Sequence, residues 1–210
     1  MKGVLFISHQ TETCSYIQSV QIALDGGIKQ IQLRIKDAPE AAYPIACAAK
    51  KLCDSYSADL YIDDYVDICK NIGAKGVHLG KLDMLPLEAI TILGKNFVIG
   101  GTANTFDDIL HLTKSGVNYI GLGPFRFTHT KNNLSPILGL EGYTNIINNC
   151  RENNITLPIL AIGGITVNDI PHIMETGVSG IAISSAILNA KNPIKEAEKI
   201  VETVSRFLLI

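Results

Sequence analysis

Residues 158–187 read PILAIGGITVNDIPHIMETGVSGIAISSAI, and this stretch decides the fold. Apolar runs at 158–162 and 180–183 predict two buried strands, and the amphipathic segment 167–176 between them predicts a helix. Gly177 follows that helix, at the position where glycine tolerates the left-handed conformation that ends a helix. The stretch therefore predicts a strand–helix–strand unit of a parallel sheet.

The same unit recurs along the chain. Predicted strands occupy residues 4–8, 30–35, 59–62, 76–79, 97–100, 119–123, 158–162 and 180–183. Predicted helices occupy residues 13–24, 38–55, 66–72, 87–93, 106–115, 140–153, 167–176 and 194–208. The strands are apolar at nearly every position, which is typical of a parallel sheet covered by helices. Eight units in 210 residues predict an α/β fold, a single (β/α)8 TIM barrel that forms one domain over residues 1–210.

An open, doubly wound sheet is the alternative architecture. Such sheets usually carry a G-x-G-x-x-G turn after the first strand, followed by an acidic residue. Here the first predicted strand is followed by Ser8-His9-Gln10-Thr11, which lacks that glycine pattern. The sequence therefore favours the closed barrel.

Composition limits the classes of partner. The formal charge of −2 gives no reason to expect nucleic acid or an anionic membrane as a partner. The apolar run at residues 4–7 is too short for a signal peptide, and no run approaches the length of a membrane span. The five cysteines are odd in number and contain no C-x-x-C pair, so we interpret them as reduced packing residues. These features predict a cytoplasmic protein.

Two turns near the C-terminus suit an anion. In a (β/α)8 barrel the active site lies at the carboxyl ends of the strands. Gly163-Gly164 follows the predicted seventh strand and Ser184-Ser185 follows the eighth. Paired glycines let backbone N–H groups approach a phosphate, and a following helix adds aligned donors. The turns predict phosphate binding, although each turn alone also fits an ordinary tight connection.

Charged residues follow the second, third and fourth predicted strands. Gln32, Arg34 and Lys36 alternate, so they share one side of the second strand. Facing inward they would form a clamp for a diphosphate, and facing outward they would be solvated. Asp64 and Asp83 follow the next two strands, where they could bind Mg²⁺ or cap helices. The residues alone leave both choices open.

The longest irregular segment lies at residues 124–137, after the sixth predicted strand. A loop of that length in so short a chain is typical of a lid or binding loop. It carries Thr128, Thr130 and Lys131, which suit a second anionic group or a solvated surface equally well. Thr102 follows the fifth strand.

Taken in order, these motifs resemble the thiamine-phosphate synthase family from about residue 28 to residue 193. The matching motifs are Gln32-x-Arg34-x-Lys36, Asp64, Gly76-Val77-His78-Leu79-Gly80 with Asp83, Gly121-x-Gly123-Pro124 with Thr128-x-Thr130-Lys131, Gly139-Leu140-Glu141-Gly142, Ile162-Gly163-Gly164-Ile165 and Ser185-Ala186-Ile187. Each motif is modest by itself, and the ordered set is specific.

The resemblance implies a (β/α)8 barrel and a Mg²⁺-dependent transferase that joins hydroxymethylpyrimidine diphosphate to a thiazole phosphate, a reaction described as dissociative. It implies that Arg34, Lys36 and Lys131 are the catalytic residues. The pyrimidine diphosphate would contact Gln32, Arg34, Lys36, Asp63, Thr102 and Lys131. The thiazole phosphate would contact Thr128, Thr130, Gly164, Ser184 and Ser185. Mg²⁺ would be held by Asp64 and Asp83. The partners are small phosphorylated molecules, and a homo-oligomer is compatible with the sequence, which does not determine the oligomeric state.

The chain departs from the family pattern at several positions. The departures are aspartate for asparagine at Asp63, threonine for serine at Thr102, lysine for glutamine at Lys81, phenylalanine for proline at Phe127 and asparagine for aspartate at Asn133. The change at Asp63 matters most, because an amide can donate to the pyrimidine while a carboxyl group donates only when protonated.

Two other functions remain as alternatives. A thiazole tautomerase is a related barrel enzyme, but its relatives tend to lose the lysine found here as Lys36 and carry histidine where Pro124 stands. A non-catalytic barrel that binds a phosphorylated ligand would not need both carboxylates Asp64 and Asp83 together with three cations. The sequence therefore favours the synthase.

Overall fold

Eight parallel strands close into a barrel in which each strand pairs with its sequence neighbours and β1 pairs with β8. The computed structural model describes residues 1–36, 38–128 and 135–208. The strands are β1 (Gly3–Ile7), β2 (Gln30–Leu33), β3 (Asp59–Asp63), β4 (Gly76–Leu79), β5 (Val98–Ala103), β6 (Tyr119–Leu122), β7 (Ile159–Ile162) and β8 (Gly180–Ile183). The predicted fold class is confirmed.

Helices follow every strand, and β8 is followed by two. They are α1 (Tyr16–Asp25), α2 (Ala42–Ser55), α3 (Val66–Ile72), α4 (Pro86–Leu93), α5 (Phe106–Lys114), α6 (Gly139–Glu152), α7 (Ile170–Glu175), α8 (Ser185–Leu188) and α9 (Pro193–Leu208). Short 3-10 turns at Pro39–Ala41 and Val167–Asp169 precede α2 and α7. Within the described ranges, no helix is long and apolar enough to cross a membrane.

Some element boundaries differ from the predicted ones by a few residues. We predicted the first helix from residue 13, but α1 begins at Tyr16. Ser15 caps it, because its hydroxyl accepts from the Gln18 N–H at 3.3 Å and the Gln18 side chain accepts from the Ser15 N–H at 2.8 Å. The second strand, predicted to reach residue 35, ends at Leu33.

The core has two parts. The larger part lies between the strands and the surrounding helices. The smaller part fills the barrel interior with Leu5, Tyr61, Tyr119, Leu160 and Ala182. Tyr119 and Tyr61 meet edge to face at 6.0 Å between ring centroids. These layers form the floor beneath the carboxyl ends of the strands.

Candidate active site

A cavity of about 600 Å³ opens at the carboxyl ends of the strands. Most of the predicted site residues line it: Gln32, Arg34, Lys36, Asp63, Asp83, Thr102, Thr128, Gly164, Ser184 and Ser185. Asp64 is bonded to one of these lining residues, Lys36. Thr130 and Lys131 lie outside the described residues, so their predicted roles stay predictions.

On the β2 side of the cavity, cationic side chains pair with the buried carboxylate of Asp63 and the partly buried carboxylate of Asp64. Gln32 and Lys36 face inward, which decides the question that the alternation left open. The Gln32 amide Nε2 donates to Asp63 Oδ1 at 2.7 Å. Arg34 Nε and Lys36 Nζ each lie 3.5 Å from Asp63 Oδ2. Lys36 also donates to the Asp64 carboxylate.

Burial acts against ionisation of the two aspartates at the end of β3. It raises the pKa of Asp63, and the charge of Asp83 adds to that effect while Lys36 and Arg34 oppose it. Burial also raises the pKa of Asp64, against the hydrogen bond from Lys36. A bound cation would favour the ionised form of both groups.

Neither Asp64 nor Asp83 caps a helix through its side chain. Asp64 has a left-handed backbone, with φ of 58°, and its N–H donates to the His78 carbonyl at 2.9 Å. Helices α3 and α4 have no side-chain cap at their N-termini. The Asp83 carboxylate instead accepts from the Gly80 N–H at 2.6 Å and closes the turn after β4. The left-handed backbone of Asp64 costs free energy because the residue is not glycine, and such strain is typical of functional positions.

Sequence reasoning treated His78 only as part of a motif, yet it supports the site. Its Nε2 lies 2.9 Å from the Thr102 hydroxyl, and its Nδ1 lies 3.0 Å from the Tyr119 hydroxyl. His78 is buried. A polar residue inside an otherwise apolar strand was the available signal, since buried polar groups need partners.

The turns after β7 and β8, which were predicted to bind an anion, both line the cavity. Gly163 and Gly164 have φ of +96° and +67°. A Cβ at Gly163 would lie 2.6 Å from Pro124 Cβ, and one at Gly164 would lie 2.8 Å from the Phe127 carbonyl oxygen. Only glycine fits both positions. The Ser184 hydroxyl is buried and has no hydrogen-bond partner among the described residues.

The lid loop, residues 124–137, has a closed base. The Leu138 N–H donates to the Pro124 carbonyl at 2.9 Å. The buried Asn104 amide donates to the carbonyls of Gly123 and Pro136, each at 2.9 Å. Sequence reasoning missed Asn104, because its contacts join segments distant in the chain.

The positions that depart from the family pattern fall into different environments. Lys81 lines the cavity and its Nζ lies 2.6 Å from Asp108 Oδ2. Phe127 is 56% exposed. Asn133 lies outside the described residues.

Comparisons with known proteins show which family this chain resembles in sequence and fold. A family model described as thiamine monophosphate synthase matches residues 4–187. The chain is 57% identical to a thiamine-phosphate synthase of Phocaeicola vulgatus over 93% of its own length and 94% of the relative. It is 53% identical to one of Bacteroides fragilis over 95% of its length and 98% of the relative. A solved structure of thiamine phosphate pyrophosphorylase from Pyrococcus furiosus superposes with a TM-score of 0.84 at 32% identity, covering 98% of this chain and 96% of that one.

Proposed function

The chain belongs to the thiamine monophosphate synthase family, and from this premise we propose how its barrel mouth works. Its function is that of a thiamine-phosphate synthase, a transferase of thiamine biosynthesis. It joins hydroxymethylpyrimidine diphosphate to thiazole phosphate and releases diphosphate. The assignment of roles is carried by one observation: a single cavity is lined by cations on the β2 side and by the glycine and serine turns on the β7 and β8 side.

On the β2 side, Arg34 and Lys36 bind the diphosphate. Both cations form ion pairs with Asp63, and these pairs hold their charged groups at the cavity wall. When diphosphate leaves the pyrimidine, negative charge grows on its oxygens, and cations already in place stabilise that charge without reorganisation. Lys131 adds a third cation in this proposal.

The carboxylates on this side suit Mg²⁺. Asp63, Asp64 and Asp83 interact electrostatically with one another, and the positive charges of Arg34 and Lys36 oppose that repulsion. The described residues contain no group of three or more His, Cys, Asp or Glu arranged around a metal. Mg²⁺ takes one or two carboxylates and completes its shell with phosphate oxygens and waters. Asp64 and Asp83 would hold the ion, which neutralises charge on the departing diphosphate when bound.

On the opposite side, the thiazole phosphate binds to Gly164, Ser184 and Ser185, with Thr128 and Thr130 from the lid loop. A buried hydroxyl without a partner, as at Ser184, costs about 1–3 kcal/mol. A phosphate oxygen would accept a hydrogen bond from it and remove that cost. The positive φ values at Gly163 and Gly164 favour glycine, which has no side chain to block the approach of the anion.

The pyrimidine lies between the two anion sites. Gln32, Asp63 and Thr102 face it, with the Thr102 hydroxyl held by His78. Burial raises the pKa of Asp63, and a carboxyl group can donate to a ring nitrogen as asparagine does only when it is protonated. The thiazole ring nitrogen then attacks the pyrimidine carbon that diphosphate has left, so no side-chain nucleophile is required. The protein's contribution is orientation of the two substrates.

We also propose that the enzyme works in the cytoplasm on small phosphorylated molecules, without nucleic acid or a membrane. The formal charge of −2 supports this choice of partners. The tautomerase alternative is disfavoured, because Lys36 lies with Arg34 on the diphosphate side, where a tautomerase has no diphosphate to bind.

The direct test is synthesis. Purified protein with both substrates and Mg²⁺ should form thiamine phosphate, and absence of product under conditions where a known synthase works would refute the proposal. Asp64→Ala should lose activity that added Mg²⁺ partly restores. Asp54→Ala, which removes an exposed aspartate paired with Lys50 on α2, is the control and should keep the wild-type response to Mg²⁺.

A further inference from the structure

Arg126 stands at the root of the lid loop and extends the pairing of β7 beyond its end. The Phe125 N–H donates to the Ile162 carbonyl at 2.8 Å, and the Arg126 N–H donates to the Gly163 carbonyl at 2.9 Å. The lid root thus lies beside the glycine turn that follows β7. Arg126 itself is not among the residues that line the cavity, and its side chain is 49% exposed.

The Arg126 guanidinium group holds this turn from outside. Its Nη1 donates to the Gly164 carbonyl at 2.9 Å and to Asp169 Oδ2 at 2.9 Å. Its Nη2 donates to Asp169 Oδ1 at 2.7 Å. One planar group therefore fixes both the middle of the turn and the first carboxylate beyond it, a geometry that lysine cannot reproduce.

Asp169 carries the restraint on to the end of the turn. Its Oδ2 accepts from the Thr166 N–H at 2.8 Å and from the Thr166 hydroxyl at 2.7 Å. The bonds to Arg126 and Thr166 lower the pKa of Asp169 to about 2, so the carboxylate is charged at neutral pH. The segment from Gly164 to Asp169 is thus bonded at both ends.

The turn needs such a restraint because its own residues supply little. Gly163 and Gly164 have no side chains, and glycine has the widest range of backbone conformations. The Gly164 position also lies 3.0 Å, measured from a built Cβ, from the Arg126 Cβ. The lid root therefore leaves no room for a side chain at Gly164.

We propose that Arg126 is a positioning residue that fixes the Gly163-Gly164 turn in the shape that binds thiazole phosphate. This inference rests on the proposed function, since it concerns affinity for one of its two substrates. Arg126 acts through Gly164 and Asp169 and does not touch the substrate. The pyrimidine diphosphate side, across the cavity, is independent of it.

The test compares the two substrates in Arg126→Gln. We expect KM and the directly measured Kd for thiazole phosphate to rise about tenfold, the equivalent of one charge-assisted hydrogen bond. The KM for pyrimidine diphosphate should stay within about twofold. Arg126→Lys keeps a positive charge beside Asp169 but cannot donate to both of its oxygens at once, so it should recover part of the affinity. Asp169→Asn should resemble Arg126→Gln, and the double variant should lose less than the sum.

The outcomes separate the inference from the proposed function. If the wild-type protein forms no thiamine phosphate, the function is wrong. If it does, equal changes in both KM values, or an unchanged Kd for thiazole phosphate in both Arg126→Gln and Asp169→Asn, would overturn the positioning role. Arg206→Gln, which removes an arginine paired with Glu202 on α9, should leave both constants unchanged.

Discussion

At the scale of single residues, the feature that matters most is how Lys36 is held in the free protein. Its ammonium group donates to Asp64 and lies 3.5 Å from Asp63 Oδ2. The side chain is 39% exposed, so it can reach an arriving diphosphate. These carboxylates raise the pKa of Lys36 against the effect of its burial, which keeps the group charged.

Lys36→Ala should slow diphosphate departure at least about tenfold, or about 1.4 kcal/mol, because a cation is lost where charge develops. A single-turnover experiment with saturating substrates measures this step. Lys50→Ala, which removes a lysine paired with Asp54 within α2, is the matched control. A wild-type single-turnover rate in Lys36→Ala would contradict the role.

Residue identities were predictable here, but their partners were not. Alternation placed Gln32, Arg34 and Lys36 on one side of β2, and the structure turns that side inward. The bond from Gln32 to Asp63 depends on two strands meeting, and the contact between Arg126 and Asp169 joins residues 43 apart. No local spacing encodes such pairs. The left-handed backbone at Asp64 was also not predictable, because aspartate tolerates this conformation more readily than most residues but does not require it.

At the scale of elements, Asn104 at the end of β5 ties together both ends of the lid loop. Asn104→Ala should leave the carbonyls of Gly123 and Pro136 without their donor and lower the free energy of unfolding by about 1–3 kcal/mol. Urea denaturation measures this free energy of unfolding. Asn153→Ala, which removes an exposed amide at the end of α6, should change stability by less than about 0.5 kcal/mol. If the two variants were equally stable, the hydrogen bonds from Asn104 to Gly123 and Pro136 would not stabilise the fold as proposed.

The ion pair between the lid root and the turn before α7 predicts a dependence on pH. The pKa of Asp169 is about 2 in the folded protein, below its ordinary value of 3.8. A lowered carboxyl pKa stabilises the fold above the ordinary value, and this contribution is lost as pH falls from about 4 towards 2. Because Arg126 is half exposed, solvent screening reduces the effect to about 1 kcal/mol.

The measurement is the free energy of unfolding of wild type and Asp169→Asn at pH 6 and pH 3. Wild type should be more stable at pH 6, and the difference should shrink at pH 3. A difference that is the same at both values would mean that Asp169 does not titrate in this range.

Elements themselves were predictable because their signals are local. Apolar runs located all eight strands, and the boundaries differ from the predicted ones by a few residues. Ser15 delays the start of α1 through its capping box. Gly101, Thr102 and Ala103 extend β5 past residue 100, at which we ended it, because pairing with β6 continues to Ala103. Such pairing depends on the neighbouring strand, so it cannot be predicted from the sequence of β5 alone.

At the scale of the whole molecule, the barrel interior connects the fold to the site. The count of eight units was enough to predict the barrel, since each unit supplies one parallel strand and its covering helix. The order of layers inside was not predictable. Tyr119 on β6 fills the interior because Gly100 on β5 leaves space for its ring. The Tyr119 hydroxyl contacts His78, whose other nitrogen contacts Thr102 at the cavity.

Gly100→Ala should therefore damage both stability and substrate binding. The new Cβ would lie 2.2 Å from Tyr119 Cζ, so the ring must move in a tightly packed interior, at a cost of about 1–3 kcal/mol or more. A displaced Tyr119 disturbs His78 and, through it, Thr102, so the KM for pyrimidine diphosphate should rise while that for thiazole phosphate changes less. Urea denaturation and steady-state kinetics measure the two effects.

Gly27→Ala is the control that separates packing from backbone strain. Gly27 has φ of +84° and no atom within 4 Å of a built Cβ, so alanine there costs strain of about 1 kcal/mol and no clash. It should lower stability slightly and leave both KM values unchanged. If Gly100→Ala behaved the same way, the ring of Tyr119 could shift without cost. Its displacement would then not alter the position of Thr102. A selective rise in the KM for pyrimidine diphosphate would instead make the barrel's packed floor part of the binding site.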